Sequence, residues 1–556
     1  MDFSSNNKPN AGFSAIGAIE HVIVLMFENR SFDHLLGAMP GVDGVLDSQG
    51  NVLPNLYNTM DPIAEPGADN PPTPPTPIVP FLNPEPPLPT EDQLITHDFT
   101  HEFGDGLMQD IFGPGTTGML DNQPQNNPAV TYPPTNSGFL STVAYNAGSQ
   151  RNGIGAMTYF EWNSMEVFHT LAQAFLVCDE WYCDTPGHTA PNRAFMHCAT
   201  TGDIGIDDDD YVGSLNMVNR TTIFERIQET NQTWKVYWPG ANCDTDWLNE
   251  QVCSQPYDPQ QPSAYNVTLV PIQNFFTDLQ NEALPFYSFI MCWNPNSSNR
   301  TMDTSMHPTS RVEPGETMLA CIYNSLQAST SWKNTLLIVN FDENGGMYDH
   351  QSLPQATPPD VDPTIASTGI KLPPIFRWLS YNTNRTYSFD YSALGVRIPV
   401  LLISPWLNAG VCSTQFQNTS ILRFLQDLLP NPNANNPYFL TQRDLNAPSI
   451  AQVFEYAQFG RDEARTDCPS DIAGYGGGNA CEQFLADITP DAATMAAPPA
   501  PHVEGMTRKY ISPLPGHPDS GKPLTRSFTT VGEMLAYANE RREAAVAYIK
   551  AKSSAQ

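Results

Sequence analysis

EHVIVLMF at residues 20–27 and NTLLIVNF at residues 334–341 are short, continuous apolar runs rich in β-branched side chains. Such runs mark strands covered on both faces, as in a parallel sheet. Each stops abruptly at a polar pair, Glu28-Asn29 after the first and Asp342-Glu343 after the second. Further strand candidates are AFLVCDEWYC (174–183), TWKVYW (233–238), PFYSFIMCW (285–293) and VRIPVLLIS (396–404). Apolar residues recur at helical spacing within 159–174, from Glu316 to Leu326 and from about Ser420 to Leu429. Strands alternating with helices predict an α/β fold with a mainly parallel central sheet, helices on both faces and long irregular loop insertions.

In an open parallel sheet, ligands collect outside the carboxyl ends of the strands. Glu28, Asn29, Asp342 and Glu343 would converge there, and hard oxygen donors suit Mg²⁺, Ca²⁺ or Mn²⁺, or Zn²⁺ where a histidine joins them. An acid at a strand end can also cap the next turn. Two independent pairs make coincidence less credible.

A third strand ends near Cys183 and opens DTPGHTAPNR (184–193), which gathers hydroxyls, an imidazole and a guanidinium in one turn. A hydroxyl beside a metal deprotonates more easily and can attack phosphorus, while Arg or Asn steadies the phosphoryl oxygens. The competing reading is a loop whose Thr and Asn cap a helix starting near Asn192. His97 and His101 in HDFTHEF, His307 in MHPTS and His350 in GGMYDH all sit in polar, turn-like surroundings. An imidazole there can bind metal, donate to phosphate or protonate a leaving alkoxide. His502 and His517 fall in a Pro-rich tail and read as bystanders.

Absent motifs narrow the chemistry. There is no G-x-S-x-G elbow and no G-x-x-x-x-G-K-[ST], which disfavours an α/β-hydrolase esterase and a P-loop enzyme. GPGTTG at 113–118 follows no strand signal and contains Pro114, so it reads as a loop. No C-x-P-x-R occurs, which argues against a sulfatase with a converted cysteine.

The 556 residues carry 26 Lys plus Arg against 59 Asp plus Glu, a net charge of −33. Such a field repels nucleic acid and anionic lipid surfaces. At 40% hydrophobic and 15% charged, the balance is that of a globular protein. No stretch offers the ~18 consecutive apolar residues of a membrane span. The N-terminus shows no basic segment or small-residue cleavage site, so a soluble chain without a recognisable signal peptide is expected; compartment and oligomeric state stay open. One catalytic domain is expected over 15–485, with a Pro-rich insertion at 62–90 reading as a surface excursion without helix or sheet hydrogen bonding. Residues 486–556 read as a linker followed by an amphipathic helix from Val531 to Lys552. The ten cysteines include no C-x-x-C pair. Local bridges Cys243–Cys253 and Cys468–Cys481 fit the turn-rich loops, while Cys178, Cys292 and Cys321 in apolar runs read as buried thiols.

IEHVIVLMFENRSFDHLLG (19–37), TPGHTAPNRAFMHCATTG (185–202), SMHPTSRVEPGE (305–316) and TLLIVNFDENGGMYDH (335–350) resemble, in order, the phosphoesterase family. That family holds bacterial phospholipases C, related acid phosphatases and plant non-specific phospholipases C. GVRIPVLLISPW (395–406) and NTSILRFLQDLL (418–429) match its later blocks. The resemblance implies an alkaline-phosphatase-like fold and hydrolysis through a covalent phospho-enzyme at a metal-bound hydroxyl. It implies metal ligation by Glu28, Asn29, Asp342 and Glu343, with Thr189 as both ligand and nucleophile. His101, His307 and His350 would hold phosphate oxygens or serve as general acid, with His350 the first choice for the acid because its GGMYDH loop directly follows the Asp342-Glu343 strand. The Thr of T-x-P-N-R resembles the phospholipase branch, whereas the acid phosphatase branch tends to use Ser. The expected substrate is therefore a phospholipid or a small phosphoester; a phosphomonoesterase and an inert phosphate- or headgroup-binding protein are the alternatives. One block departs from the family: Gln417-Asn418-Thr419-Ser420 stands where D-H-T-S is usual.

Overall fold

In the computed structural model, the described residues are 15–60, 76–82, 154–187, 189–201, 221–238, 269–292, 303–308, 310–359, 376–379, 386–389, 391–430 and 438–474, together with Asn136, Phe139, Cys481, Phe484, Thr529, Thr530 and Glu533. The apolar runs become strands of one sheet: β1 (His21–Phe27), β2 (Leu176–Cys178), β3 (Trp234–Trp238), β4 (Leu269–Pro271), β5 (Tyr287–Met291), β6 (Thr335–Phe341), β7 (Val400–Ile403) and β8 (Gly410–Cys412). Their order is β8-β2-β7-β6-β1-β5-β3-β4. Every neighbouring pair is parallel except those made by β7, which runs antiparallel to both β6 and β2. The mainly parallel sheet read from the sequence is therefore present. β4 and β8, three residues each, are too short to leave a periodic signal.

β1 and β6 are central and buried, which explains their unbroken apolar sequence. Their register runs from His21↔Thr335 to Phe27↔Phe341, so the two strands end level. Glu28 and Asp342 therefore leave the sheet side by side, with α1 (Phe32–Leu36) following shortly after Glu28-Asn29.

The same register shows what covers each face. Phe27 and Phe341 share a face, and Phe168 of α2 (Glu166–Ala174) packs its ring on Phe341, centroids 6.2 Å apart. Val22 pairs with Tyr287, so Tyr287 and Phe289 point to the other face. There they meet Phe224 of α4 (Ile223–Glu229) and His197 of α3 (Thr189–Cys198). Helices thus lie on both faces. Across the first face, Glu316 of α5 (Glu313–Gln327) accepts the backbone N–H groups of Val167 and Phe168, capping α2.

Two expectations need correction. The 62–90 segment does hold sheet hydrogen bonds: Thr76–Ile78 pairs with Asn58–Met60, and Phe81–Leu82 pairs with Thr158–Tyr159. A proline lacks only its own N–H, so a two-stranded edge ribbon tolerates Pro77. Cys321, expected to be a buried thiol, forms the bridge to Cys481 in place of Cys468, which is free. Tyr323 and Asn324 of α5 bind the backbone of Pro469 and Ile472, laying that segment along the helix beside Cys321. Cys178 and Cys292 are buried thiols, as expected. Cys243, Cys253, His97, His101, His502, His517, the 113–118 loop and most of 486–556 fall outside the described residues.

Candidate active site

The level ends of β1 and β6 place Glu28, Asn29, Asp342 and Glu343 at one edge of the sheet, all buried. Asn29 adopts φ +62°, a left-handed turn that Asn tolerates, and its N–H donates to Asp342 Oδ1 at 3.0 Å. Gly345 closes over this turn. A Cβ there would meet the Asn29 carbonyl oxygen at 2.5 Å, so only glycine lets the loop after β6 approach. Its N–H donates to Glu343 Oε2.

The T-x-P-N-R turn arrives from the neighbouring loop. Thr189 is the first residue of α3, and its hydroxyl donates to Asn29 Oδ1 at 3.1 Å. Asn192, fully buried, fixes the preceding loop: its side chain accepts from Thr185 N–H and donates to the carbonyls of Thr185 and Gly187. The helix expected to start near Asn192 instead begins at Thr189, so Asn192 lies inside α3 and braces the preceding loop rather than capping the helix. The other Asn29 amide atom, Nδ2, lies 3.0 Å from His307 Nε2.

Arg193 joins the acids, with Nη2 3.1 Å from Glu28 Oε1 and Nε 3.1 Å from Asp342 Oδ2. Burial raises the Glu28 pKa, opposed by Arg193 and reinforced by Asp342, Asp303 and Glu343. Glu28, Asp342 and Glu343 are buried together, with Asp303 close enough to act on Glu28, and oxygen donors so gathered could hold a cation.

His350 belongs to a second cluster. Its Nδ1 lies 2.7 Å from Asp33 Oδ2 and its Nε2 3.2 Å from Asp43 Oδ1. Arg397, fully buried, bonds Asp33 at 2.8 Å and Asp349 at 3.2 Å. Burial opposes a charged His350, but the Asp33 charge and the bonds to Asp33 and Asp43 outweigh it, raising the pKa to about 10. Asp33, Asp349 and His350 present ligand atoms within 4.8 Å of one another and could hold a metal ion. Arg397 pairs with both of these aspartates. Asp33, Asp43, Asp349 and Arg397 escaped the sequence reading; the one signal was their nearness to motif residues, Asp33 after ENRS and Asp349 before His350.

The departed block packs beneath the site. Asn418 Oδ1 accepts from Trp181 and Asn340, and its Nδ2 donates to the carbonyls of Phe341 and Asp342. Asp184 accepts from Gln417 Nε2 and from the N–H and hydroxyl of Thr419. An acid from the T-x-P-N-R loop thus faces the block that lacks the usual one.

A sequence model described as the phosphoesterase family matches residues 19–429. The chain belongs to the phosphoesterase family. As a phosphoesterase it is a phosphoric ester hydrolase. It is similar to non-specific phospholipase C3 of Arabidopsis thaliana, 28% identical, with 83% of this chain and 77% of that one covered. It is also similar to phospholipase C B of Mycobacterium tuberculosis (strain CDC 1551 / Oshkosh), 25% identical over 79% of this chain and 78% of the other. A solved protein of the alkaline phosphatase superfamily from Vibrio parahaemolyticus aligns with 50% of this phosphoesterase and 63% of its own chain, at 14% identity and a TM-score of 0.29. Among the described residues, no helix of the phosphoesterase is long and apolar enough to cross a membrane.

Proposed function

We propose that this phosphoesterase is a metal-dependent phospholipase C, cleaving glycerophospholipid to diacylglycerol and a phosphorylated headgroup through a phospho-threonine at Thr189. The observation that carries the reading is the Asn29 side chain, which accepts the Thr189 hydroxyl beside the buried carboxylates. The named phospholipase C relatives support the substrate class.

Glu28, Asn29, Asp342, Glu343 and Thr189 would hold a divalent ion, and their hard oxygen donors fit one. When bound, that ion eases deprotonation of the hydroxyl and offsets charge on the phosphoryl oxygens. Thr189 opens a ten-residue helix, so backbone N–H groups and the positive end of the helix dipole face a phosphoryl group carried there. Attack forms the Thr189 Oγ1–phosphorus bond and breaks the bond to the diacylglycerol oxygen, which takes a proton. His307 sits against Asn29, the same residue that orients Thr189, and is assigned as that proton's donor. Arg193 offers a guanidinium to phosphoryl oxygens. Water then splits the phospho-threonine, releasing the headgroup phosphate and restoring the hydroxyl.

The test compares p-nitrophenyl phosphorylcholine with p-nitrophenyl phosphate, with and without EDTA. Diester hydrolysis that EDTA abolishes supports the reading. Hydrolysis of the monoester alone would make the protein a phosphomonoesterase, and no hydrolysis of either a phosphate- or headgroup-binding protein.

A further inference from the structure

We propose that Arg30 is a positioning residue that holds the Met306-His307 turn so that the His307 ring meets Asn29, an inference that rests on the reading of His307 as proton donor. Asn29 and Arg30 are neighbours in the chain and grip different parts of one loop. Asn29 Nδ2 meets the imidazole, and the Arg30 guanidinium binds the backbone that carries it.

Arg30 is buried. Its Nε donates to the Met306 carbonyl at 2.6 Å, and its Nη2 donates to the carbonyls of His307 at 3.1 Å and Ser310 at 3.5 Å. Three carbonyls of one loop thus converge on a single planar fork. The other terminal nitrogen, Nη1, lies 2.8 Å from His34 Nε2. A guanidinium only donates, so His34 accepts. Burial and the Arg30 charge hold the His34 pKa well below the usual imidazole range, which keeps the ring neutral and able to accept. His34 belongs to α1, so the fork is braced against a helix while it holds the loop.

The loop has reason to be held. Met306 adopts φ +61°, a left-handed conformation that a non-glycine residue keeps only where its surroundings impose it. Asp303 ties the two ends together, accepting the Ser305 N–H at 2.9 Å and the Ser310 hydroxyl at 2.6 Å. The Glu28 N–H donates to the Ser305 carbonyl at 2.9 Å. Successive residues Glu28, Asn29 and Arg30 therefore bind the loop at Ser305, at the His307 ring and at the His307 backbone.

The chemistry of the fork sets the expectation. Lysine keeps the charge but offers one nitrogen, which does not reach three carbonyls and His34 together. A proton donor works only within hydrogen-bond reach of the oxygen it serves, so a displacement of about 1 Å is costly. Loss of the fork should therefore imitate loss of the acid.

The experiment uses the full chain as wild type, Arg30→Lys, Arg30→Gln, His307→Ala and Arg30→Lys/His307→Ala, with a soluble short-chain phosphatidylcholine and p-nitrophenyl phosphorylcholine as substrates. Arg30→Lys should lose about tenfold or more additional turnover on the phosphatidylcholine than on the p-nitrophenyl ester. The double variant should be no worse on phosphatidylcholine than His307→Ala alone. A crystal structure of Arg30→Lys should show the His307 ring drawn away from Asn29. An undisplaced ring overturns the proposal. So do equal losses on the two substrates in folded Arg30 variants while His307→Ala discriminates between them, or a double-variant defect equal to the product of the single ones. Failure of both Arg30 variants to fold would make Arg30 part of the scaffold and overturn it too. If His307→Ala itself loses equally on both substrates, the donor reading falls, and if the wild type cleaves neither, the phospholipase reading falls. In both cases the ring position in Arg30→Lys still decides whether Arg30 holds the turn.

Discussion

Thr189 and Asn29 lie 160 residues apart in the chain, yet the threonine hydroxyl donates to the asparagine side-chain oxygen across 3.1 Å. That bond aims one oxygen at the edge where the carboxylates gather. Thr189→Ala should abolish hydrolysis while leaving the thermal melt near that of the wild type, because the side chain is only half-buried. Activity above about one per cent in the folded variant would reject Thr189 as the nucleophile.

Glu28→Gln and Asp342→Asn should each reduce bound metal and activity together. Both residues face Arg193, and either change unbalances the same buried charges. Their combined defect should fall well short of the product of the two single ones, as for residues serving one site. Elemental analysis checks this: full metal occupancy in both variants would dispose of a shared site.

The two described histidines of the proposal should separate by substrate. His307 touches Asn29, so His307→Ala should depress turnover of phospholipid, with its poor alkoxide leaving group, far more than turnover of p-nitrophenyl phosphorylcholine, whose phenolate leaves unaided. His350 is held between Asp33 and Asp43, and His350→Ala should slow both substrates alike. A leaving-group-dependent loss in His350→Ala would instead hand the acid role to that residue.

His350 also makes stability depend on pH. Its pKa is raised from 6.5 to about 10, so the folded state binds the proton more tightly than the unfolded chain. The stabilisation is complete below about 6.5 and is lost as pH rises through about 10. The melting-temperature gap between wild type and His350→Gln should therefore narrow between about pH 6 and pH 10.5. A gap that widens with pH would contradict the Asp33 pairing.

Cys321 and Cys481 close a loop of 160 residues. Cys481→Ser should lower unfolding free energy by about 2–5 kcal/mol, the usual effect of removing a bridge of long span. Denaturant titration measures the loss, and peptide mapping without reductant should recover the 321–481 pair from the wild type.

The strands and the acids that end them were legible because a fully buried parallel strand needs an unbroken apolar run, and HVIVLMF and TLLIVNF stop where the chain leaves the sheet. The turn that brings Thr189 to Asn29 was legible through its compact cluster of polar residues. The cysteine pairing was not, since nothing near Cys321 in the sequence shows that Tyr323 and Asn324 draw residues 469–472 along their helix. Nor was the ion cluster around His350. Arg397 and Asp33 are 364 residues apart, and such a pair has no local pattern to read.

The reversed strand β7 accounts for how Arg397 reaches that cluster. A strand parallel to its neighbours brings the residues at its C-terminal end to the edge where Glu28 and Asp342 lie; one running backwards brings those at its N-terminal end. Val339↔Leu401 and Leu337↔Ile403 show the start of β7 lying nearer the end of β6. Arg397, three residues upstream of Val400, is thus placed by the way the chain enters the sheet. Deleting one residue between Ile398 and Val400 would shift that entry by a step, turning the guanidinium away from Asp33 and Asp349 while the strand itself could still pair. The spacing between Arg397 and β7 is therefore a measured ruler in the chain, and its length matters as much as the identity of the residues along it.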